Sequence, residues 1–461
     1  MAVQISMIFS VLLLSSVCVV LFLTWGDSSI RIRWPTFSGK KRPSVEEMLF
    51  HFGNEKENST PSVVFPRTTK VADYTKKQLK SDQMGTTHGA LAETPMPILS
   101  RSSFKKLPHW DFEDIYNQDA PPWQTTCAQS LRNSEDESFK KNFLPEIRLF
   151  LHKDNINMSE WNRLSHFNNP FGFLQFKHDD VMPSVKLIPK PKEPLLLPGS
   201  DGCVHCAVVA GAGILNGSKM GKEIDAHDYV FRMNGAVIKG YEEDVGNRTS
   251  VYVHTTHSIT TSLYVFRRYG YTSVPHDKGI KYVMIPEGMD DYRWLKGLLK
   301  GERIADGRYK NKRPRTYYSG QYNETRFYVL HQDFLRYVRN RFLKSRSLNA
   351  SHWAIVRPTN GAFTLFLALH TCDTVSAYGY MTDDYQKYSN YYAEKSKKKS
   401  FFTPTTTISW RRTRGKNYTT AKYLSYIKEQ TPKQGQRSQS KSDTVRMGAI
   451  MYVILYFYYM Y

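Results

Sequence analysis

A short apolar run that ends in a glycine-rich turn is the feature that most constrains the fold. Residues Cys206-Ala-Val-Val-Ala210 have the composition of a buried strand, and Gly211-Ala-Gly213 follows at once. Further strands are predicted at 229–233, 281–285, 353–356 and 375–380, with helices at 333–343 and 362–370. Strands that alternate with helices are typical of an α/β domain with a largely parallel sheet, whose ligand binds beyond the carboxyl ends of the strands.

Uncharged residues fill the first 26 positions, and residues 8–24 are almost continuously apolar. A helix of about 20 residues crosses the hydrocarbon core of a bilayer, whereas a cleaved signal peptide has an apolar stretch of only about 7 to 15 residues. We therefore expect a short cytosolic tail over residues 1–7 and an uncleaved anchor over residues 8–26, with a cleaved signal peptide as the alternative. Basic residues follow the anchor, and charge alone would place that side in the cytosol.

Cysteines and glycosylation sequons indicate the lumen instead. Seven N-x-S/T sequons begin at Asn58, Asn157, Asn216, Asn247, Asn323, Asn349 and Asn417. Four cysteines lie beyond the anchor, at Cys127, Cys203, Cys206 and Cys372. The lone C-x-x-C at 203–206 has no second pair, so disulfides are favoured over a zinc site, with three pairings open. We therefore expect a single-pass type II protein with a lumenal body.

The charge balance indicates an anionic partner, because 64 Lys and Arg against 42 Asp and Glu leave a net charge of +22. Residues 395–441 alone contain 13 basic residues and one acidic residue, Glu429. Since so much of the positive charge excess lies in residues 395–441, nucleic-acid binding is disfavoured. Residues 27–120 are rich in Ser, Thr, Pro and Lys and are predicted to form a flexible stem, with a small, poorly patterned domain as the alternative.

Two predicted turns at the sheet edge are candidates for ligand binding. The first, Gly211-x-Gly213, is not a G-x-G-x-x-G motif because Asn216 occupies the last position, which disfavours a dinucleotide fold. Its small residues would still let the backbone approach a phosphate, and the amides at the N-terminus of a helix that follows the turn would favour an anion; a strand-to-helix turn without a ligand is the alternative. The second, Pro358-Thr-Asn-Gly361, is predicted to end a strand and begin a helix with Thr359 or Asn360 as the N-cap.

Longer stretches around these turns resemble a known family. Residues 206–236, continuing through Gly240-Tyr-Glu-Glu-Asp-Val-Gly-Asn-Arg-Thr249, resemble the long sialyl motif of the animal sialyltransferases. Residues 357–379 resemble their short motif. Ile285-Pro-Glu-Gly-Met289 and the segment 333–343 are similar to the branch that acts on O-linked N-acetylgalactosamine (GalNAc).

The resemblance implies a single Rossmann-like sialyltransferase domain, a variant of the GT-A type, over residues 121–395 behind the anchor and stem. It implies transfer of sialic acid from CMP-sialic acid to the 6-hydroxyl of GalNAc linked to Ser or Thr of glycoproteins, with inversion and with no metal or cofactor. The expected location is the Golgi membrane, with the catalytic domain in the lumen. A sialyltransferase of α-2,3 or α-2,8 linkage is an alternative.

The resemblance also implies roles for particular residues. Asn234 would contact the nucleotide, Gly213 would allow close approach of the backbone, and Thr359, Asn360 and Gly361 would hold the CMP. Without the family, a polar cap at a strand end is the simpler interpretation of Asn234. The cysteines of the two motifs would pair as Cys206–Cys372, which leaves Cys127 with Cys203.

The chain departs from the family pattern at three places. Gly211 stands where the family has Asn, and loss of one hydrogen bond to a charged group lowers affinity roughly 10- to 150-fold. The third motif reads Asn390-Tyr-Tyr-Ala393 in place of His-Tyr-aromatic-acid, which leaves Tyr391 as a donor-binding and weak catalytic candidate; a surface aromatic cluster is the alternative.

The final departure concerns the general base. The family's last motif, His-x-x-x-Glu, supplies this base, but no histidine follows His370 in this chain. Loss of a general base lowers rates by about 10² to 10⁴. Either this form is catalytically impaired or its C-terminus is not that of the active enzyme. A non-catalytic lumenal protein that binds CMP-sialic acid or glycoprotein is the alternative function. The atypical tail at 396–461 has three interpretations: an alternative or mispredicted exon, a divergent segment that docks on the domain, or a membrane-contacting segment.

Overall fold

Six parallel strands form one sheet in the order β5-β4-β3-β2-β1-β6. The computed structural model describes residues 93–122, 125–192, 194–199, 201–380 and 387–394. The strands are β1 His205–Val209, β2 Tyr229–Met233, β3 Val251–His254, β4 Lys281–Met284, β5 Phe327–Val329 and β6 Thr374–Tyr378. The predicted α/β class with a parallel sheet is confirmed.

The order of the strands creates a switch point beside β1. The chain moves from β1 through β5 towards one edge of the sheet and then returns to add β6 on the other side of β1. Within β1, Cys206 pairs with Tyr229 of β2 and with Val375 of β6, and residues 206–209 are buried. A crevice opens beyond the carboxyl ends of strands at such a switch point, so the segments that follow β1, β2 and β6 are the expected ligand site.

Nine α-helices are described. They are α1 Glu137–Asn142, α2 Met158–Leu164, α3 His178–Val185, α4 Gly221–Asp225, α5 Glu242–Val245, α6 Thr256–Val265, α7 Met289–Lys300, α8 Gln332–Tyr337 and α9 Asn360–Thr371. Helix α8 continues into a π-helical turn at Val338–Phe342. Helix α9 is buried along nearly its whole length and packs on β1, β2 and β6, because it is apolar on almost every face.

The predicted strand at 353–356 is wrong. Trp353–Ile355 is a 3₁₀ helix, and Trp353 is buried with Leu107 and Leu174 in a small separate core. A short apolar run indicates burial, but burial alone does not distinguish a strand from a helical turn. Pro358 therefore does not end a strand. Strands β3 and β5 were not predicted; they contain only four and three residues, which is too short for a clear alternation.

Packing extends towards the N-terminus beyond the predicted domain boundary at residue 121. Tyr116 lies in the main core, and the buried Arg336 donates hydrogen bonds to the carbonyl oxygens of Glu113 and Ile115. The predicted anchor at 8–26 and most of the stem lie outside the described residues, as does the tail from residue 395. Within the described ranges, no helix has both the length and the apolar character needed to cross a membrane.

Candidate functional site

The end of β2 and the start of α9 meet through two asparagine side chains. Asn234 directly follows β2, and Asn360 is the first residue of α9. The Asn360 amide nitrogen, Nδ2, donates to Asn234 Oδ1 at 2.8 Å. The structure therefore brings together two residues that the sequence assigned to the donor site from motifs more than 120 positions apart.

The backbone of Asn234 is held in an unusual conformation. Its φ is 53°, in the left-handed region that asparagine tolerates better than most residues. The hydroxyls of Tyr252 and Tyr271 donate to the Asn234 carbonyl oxygen at 2.6 and 3.2 Å. Burial raises the pKa of both tyrosines, so both hydroxyls remain protonated donors at neutral pH. These contacts fix the position from which the Asn234 side chain projects.

Two charged residues that the sequence analysis did not assign complete this arrangement. Arg357 Nη2 donates to Asn360 Oδ1 at 3.0 Å, and Arg357 Nε donates to Glu287 Oε1 at 2.7 Å. Arg357 Nη1 donates to the Pro358 carbonyl oxygen at 2.7 Å. Glu287 lies just beyond β4, at the same edge of the sheet as Asn234. The only sequence signal was that both residues lie within the family-like segments 285–289 and 357–379.

Thr359 and Gly361 shape the start of α9. Thr359 is the N-cap, and its Oγ1 accepts from the Ala362 amide at 3.2 Å. The buried Tyr380 hydroxyl donates to the Gly361 carbonyl oxygen at 3.0 Å. The positive end of the macrodipole of this twelve-residue helix favours a negatively charged group nearby.

The glycine-rich turn is covered by the Tyr-rich segment, which we define as residues 387–394. The Gly213 amide donates to the Ser389 carbonyl oxygen at 3.1 Å, and the Tyr392 amide donates to the Gly211 carbonyl oxygen at 3.0 Å. The Ala212 amide donates to the Gly379 carbonyl oxygen at 2.9 Å. The amides of Ala212 and Gly213 therefore bond to the protein itself and are not available to a phosphate.

Gly213 lies against the protein's own backbone, and its role toward the donor stays a prediction. A Cβ atom at this position would overlap the Ser389 backbone. The turn continues into a single 3₁₀ turn, Gly213–Leu215, and not directly into an α-helix. The expectation of an α-helical N-terminus immediately after this turn is therefore wrong.

Tyr391 lies between the glycine-rich turn and the loop that contains Asn234. Its ring packs edge-on against Phe266, with centroids 4.8 Å apart. The Phe266 ring leaves no room for a Cβ at Gly235, the residue after Asn234. The packing thus brings Tyr391 close to the candidate donor site, while its predicted roles in donor binding and catalysis stay predictions.

The last histidine of the chain, His370, cannot serve as a general base at the carboxyl edge of the sheet. His370 is 2% exposed and stacks on Phe143, with ring centroids 4.4 Å apart. Its Nδ1 lies 2.7 Å from the Phe366 carbonyl oxygen and its Nε2 lies 3.2 Å from the Tyr337 hydroxyl. Burial lowers the pKa of His370 to about 3. This neutral side chain holds α9 against α8 and has no access to solvent.

Both predicted disulfides are present, Cys127–Cys203 and Cys206–Cys372. The second joins the end of α9 to β1. Among the described residues, Asp201, Cys203 and His205 are the group whose potential metal-ligating atoms lie within 4.8 Å of one another. Because the Cys203 sulfur is bonded to Cys127, it cannot act as a thiolate ligand.

Comparison with known proteins agrees with the family resemblance of the segments 206–249 and 357–379. Residues 150–408 match the family "Glycosyltransferase family 29 (sialyltransferase)". The chain is 44% identical over 324 residues to "Alpha-N-acetylgalactosaminide alpha-2,6-sialyltransferase 1" of Gallus gallus, an alignment that covers 68% of this chain and 57% of the relative. It is also 44% identical over 313 residues to the Homo sapiens protein of the same name, covering 66% and 52% of the two chains. The chain thus spans little more than half of these relatives.

One solved structure that the chain matches is entitled "Crystal Structure of a Mammalian Sialyltransferase in complex with Gal-beta-1-3GalNAc-ortho-nitrophenol". It is 23% identical to this chain, with a TM-score of 0.43. The superposition covers 58% of this chain and 89% of the other.

Proposed function

The chain belongs to glycosyltransferase family 29, the sialyltransferases, and we propose that it transfers sialic acid from CMP-sialic acid to the 6-hydroxyl of GalNAc linked to Ser or Thr. The observation that carries the proposal is the Asn234–Asn360 pair at the carboxyl edge of the sheet. The names of the relatives support GalNAc as the acceptor and α-2,6 as the linkage. The domain is Rossmann-like, a variant of the GT-A type, over residues 121–395, with residues 113–116 packed on it.

The described residues supply binding and orientation for this reaction. Asn234 and Asn360 contact the nucleotide, and the start of α9 favours the phosphate through its macrodipole. The acceptor 6-hydroxyl oxygen bonds to the anomeric carbon of sialic acid as the bond from that carbon to the phosphate oxygen breaks, which inverts the configuration. CMP leaves with the bonding electron pair, and the hydroxyl proton passes to a base. The reaction requires no metal.

A non-catalytic lumenal protein that binds CMP-sialic acid or glycoprotein is the second candidate. This non-catalytic candidate is favoured because His370 is buried and no histidine follows it in the sequence to act as the base. A base is required for turnover but not for binding, so this candidate predicts an intact donor site without transfer.

An assay with the full chain separates these candidates. The chain is incubated with CMP-sialic acid and a GalNAc-bearing mucin peptide in the presence of EDTA, and a matched chimera carries the segment of the Gallus gallus relative that aligns after residue 394. Product from both, with an α-2,6 linkage, supports the enzyme. Product from the chimera alone supports the non-catalytic protein. An α-2,3 or α-2,8 product, or failure to bind CMP by calorimetry, contradicts the proposed donor or linkage.

The proposed location is the Golgi membrane, with residues 8–26 as a type II anchor and the catalytic domain in the lumen. The stem is the part of residues 27–120 that precedes the segment packed on the domain. The sequons and the two disulfides support a lumenal body. The expected result is a membrane-bound chain that co-fractionates with Golgi markers and loses mass on treatment with an N-glycosidase. A soluble, unglycosylated chain would contradict this location.

A further inference from the structure

The direction of the Asn360 side-chain amide is determined by Arg357. A guanidinium group has five N–H donors and no acceptor, so the Asn360 atom that faces Arg357 Nη2 must be the amide oxygen. The Asn360 amide nitrogen then faces Asn234, at 2.8 Å. Because this nitrogen donates, the Asn234 atom that receives the bond must also be an oxygen.

The same logic fixes which group Asn234 presents to a ligand. Its Oδ1 is used by Asn360, so its Nδ2, with two N–H donors, projects away from that bond. Asn234 is partly exposed, and within the described part of the chain no acceptor is bonded to its Nδ2. The crevice therefore meets a hydrogen-bond donor at this position and not an acceptor.

We propose that Glu287 and Arg357 are positioning residues that orient the Asn234 amide, through Asn360, to donate to a lone pair on the nucleotide donor. The inference rests on the proposed function and deepens it. Phosphate oxygens and the carbonyl oxygen and ring nitrogen of cytosine have the required acceptor chemistry. We call the bonded side chains Glu287, Arg357, Asn360 and Asn234 the series. Glu287 comes first in it, because its carboxylate holds Arg357 Nε at 2.7 Å and so sets the plane of the guanidinium group.

The surroundings make this orientation rigid. Arg357 is 17% exposed and Asn360 is 8% exposed, and Arg357 Nη1 also bonds to the Pro358 carbonyl oxygen. If the Asn360 amide were rotated by 180°, its NH₂ group would face the guanidinium group, and neither of these groups can accept a hydrogen bond. Glu287 follows β4, Arg357 precedes α9, Asn360 begins α9 and Asn234 follows β2, so only the assembled sheet edge brings these four residues together.

The first test measures CMP affinity of the full chain by calorimetry. We expect Arg357→Met and Glu287→Ala to raise the Kd for CMP about 10- to 100-fold, and Glu287→Gln, which keeps an acceptor oxygen for Arg357, to restore it to within about threefold of the wild-type value. Arg293→Met is the matched control, because it removes an arginine paired with Asp290 and Asp306 outside this series; its Kd for CMP should not change.

A double-mutant cycle separates positioning from direct attraction of Arg357 to a phosphate. Asn234→Gly removes the side chain without strain, because glycine adopts a φ of 53° readily. In that background, Arg357→Met should raise the Kd for CMP by a clearly smaller factor than in the wild-type chain, since only the Asn360 amide is then left for Arg357 to orient. The same fold-loss in both backgrounds would overturn the proposal.

Selective ¹⁵N-asparagine labelling tests the orientation even without a ligand. We expect slow hydrogen exchange for the Asn360 side-chain amide and fast exchange for that of Asn234, with the protection of Asn360 lost in Arg357→Met. Equal, fast exchange of both amides in the wild-type chain would contradict the series. A wild-type chain that shows the protected amide but does not bind CMP would contradict the proposed function and the role of Asn234 toward the nucleotide, while supporting the orientation.

Discussion

The Tyr391 ring lies directly over Gly211. A Cβ atom added to Gly211 would be 3.1 Å from Tyr391 Cδ1, tighter than ordinary van der Waals contact, and 3.4 Å from Cε1. Gly211 is where the family has asparagine, and Tyr391 belongs to the divergent third motif. Gly211, a departure from the family pattern, therefore contacts the divergent third motif at the tyrosine that this motif keeps, and the glycine leaves the space that the tyrosine ring occupies.

This contact predicts that Gly211→Ala destabilises the fold by about 1 kcal/mol or more, because the added methyl group must displace the Tyr391 ring. In a Tyr391→Ala background the same substitution should cost little, since the space is then open. Chemical denaturation of the four variants measures the coupling. Equal costs in both backgrounds would show that the ring does not lie there in solution.

Gly213→Ala should release the Tyr-rich segment from the glycine-rich turn. Its Cβ would overlap the backbone of Ser389, which cannot move without loss of the Gly213–Ser389 hydrogen bond. We expect faster limited proteolysis within 387–394. Gly217→Ala is the control: it has open space around its Cβ and a φ of 73°, so its cost is only the left-handed strain of about 1 kcal/mol. Unchanged proteolysis in Gly213→Ala would argue against the covered turn.

Removal of the Cys206–Cys372 disulfide should destabilise the chain more than removal of Cys127–Cys203. The two bonds close loops of 166 and 76 residues, and the chain-entropy relation gives the longer loop about 0.7 kcal/mol more stabilisation. Each paired Cys→Ala variant should lose about 2–5 kcal/mol of unfolding free energy. Denaturation under non-reducing conditions compares them, and a larger loss for Cys127–Cys203 would contradict the prediction.

Acid should destabilise the fold below pH 6.5 through three buried histidines. Burial lowers the pKa of His254 and of His331 to about 4 and that of His370 to about 3. Between these values and 6.5 the unfolded chain binds protons that the folded chain does not, so the unfolding free energy falls as the pH falls. Each histidine contributes at most about 1.4 kcal/mol per pH unit.

Denaturation curves from pH 7 to pH 4.5 measure this dependence. His370→Gln should reduce the slope of unfolding free energy against pH by about one proton. The same slope in the wild-type chain and in His370→Gln would mean that His370 titrates normally in the folded chain.

The sequence by itself determined the features that short local patterns encode. The run at 206–210 and its glycine-rich turn predicted the central strand β1. Thr359 or Asn360 was predicted as the N-cap of α9, and Thr359 occupies that position. The family-like motifs predicted both disulfides, and they predicted Asn234 and Asn360 as residues of the donor site. Local patterns failed at residues 353–356, since an apolar run predicts burial and is compatible with both a strand and a 3₁₀ turn.

The tertiary structure alone decided how the site is arranged. Glu287, Arg357 and Asn234 are separated by 53 or more positions along the chain, and no periodicity links them. They meet because the carboxyl ends of β2 and β4 and the start of α9 lie at one edge of a parallel sheet. Which atom of an amide faces outward depends on its bonded neighbours, so the orientation of Asn234 follows from the folded contacts and not from the residue itself.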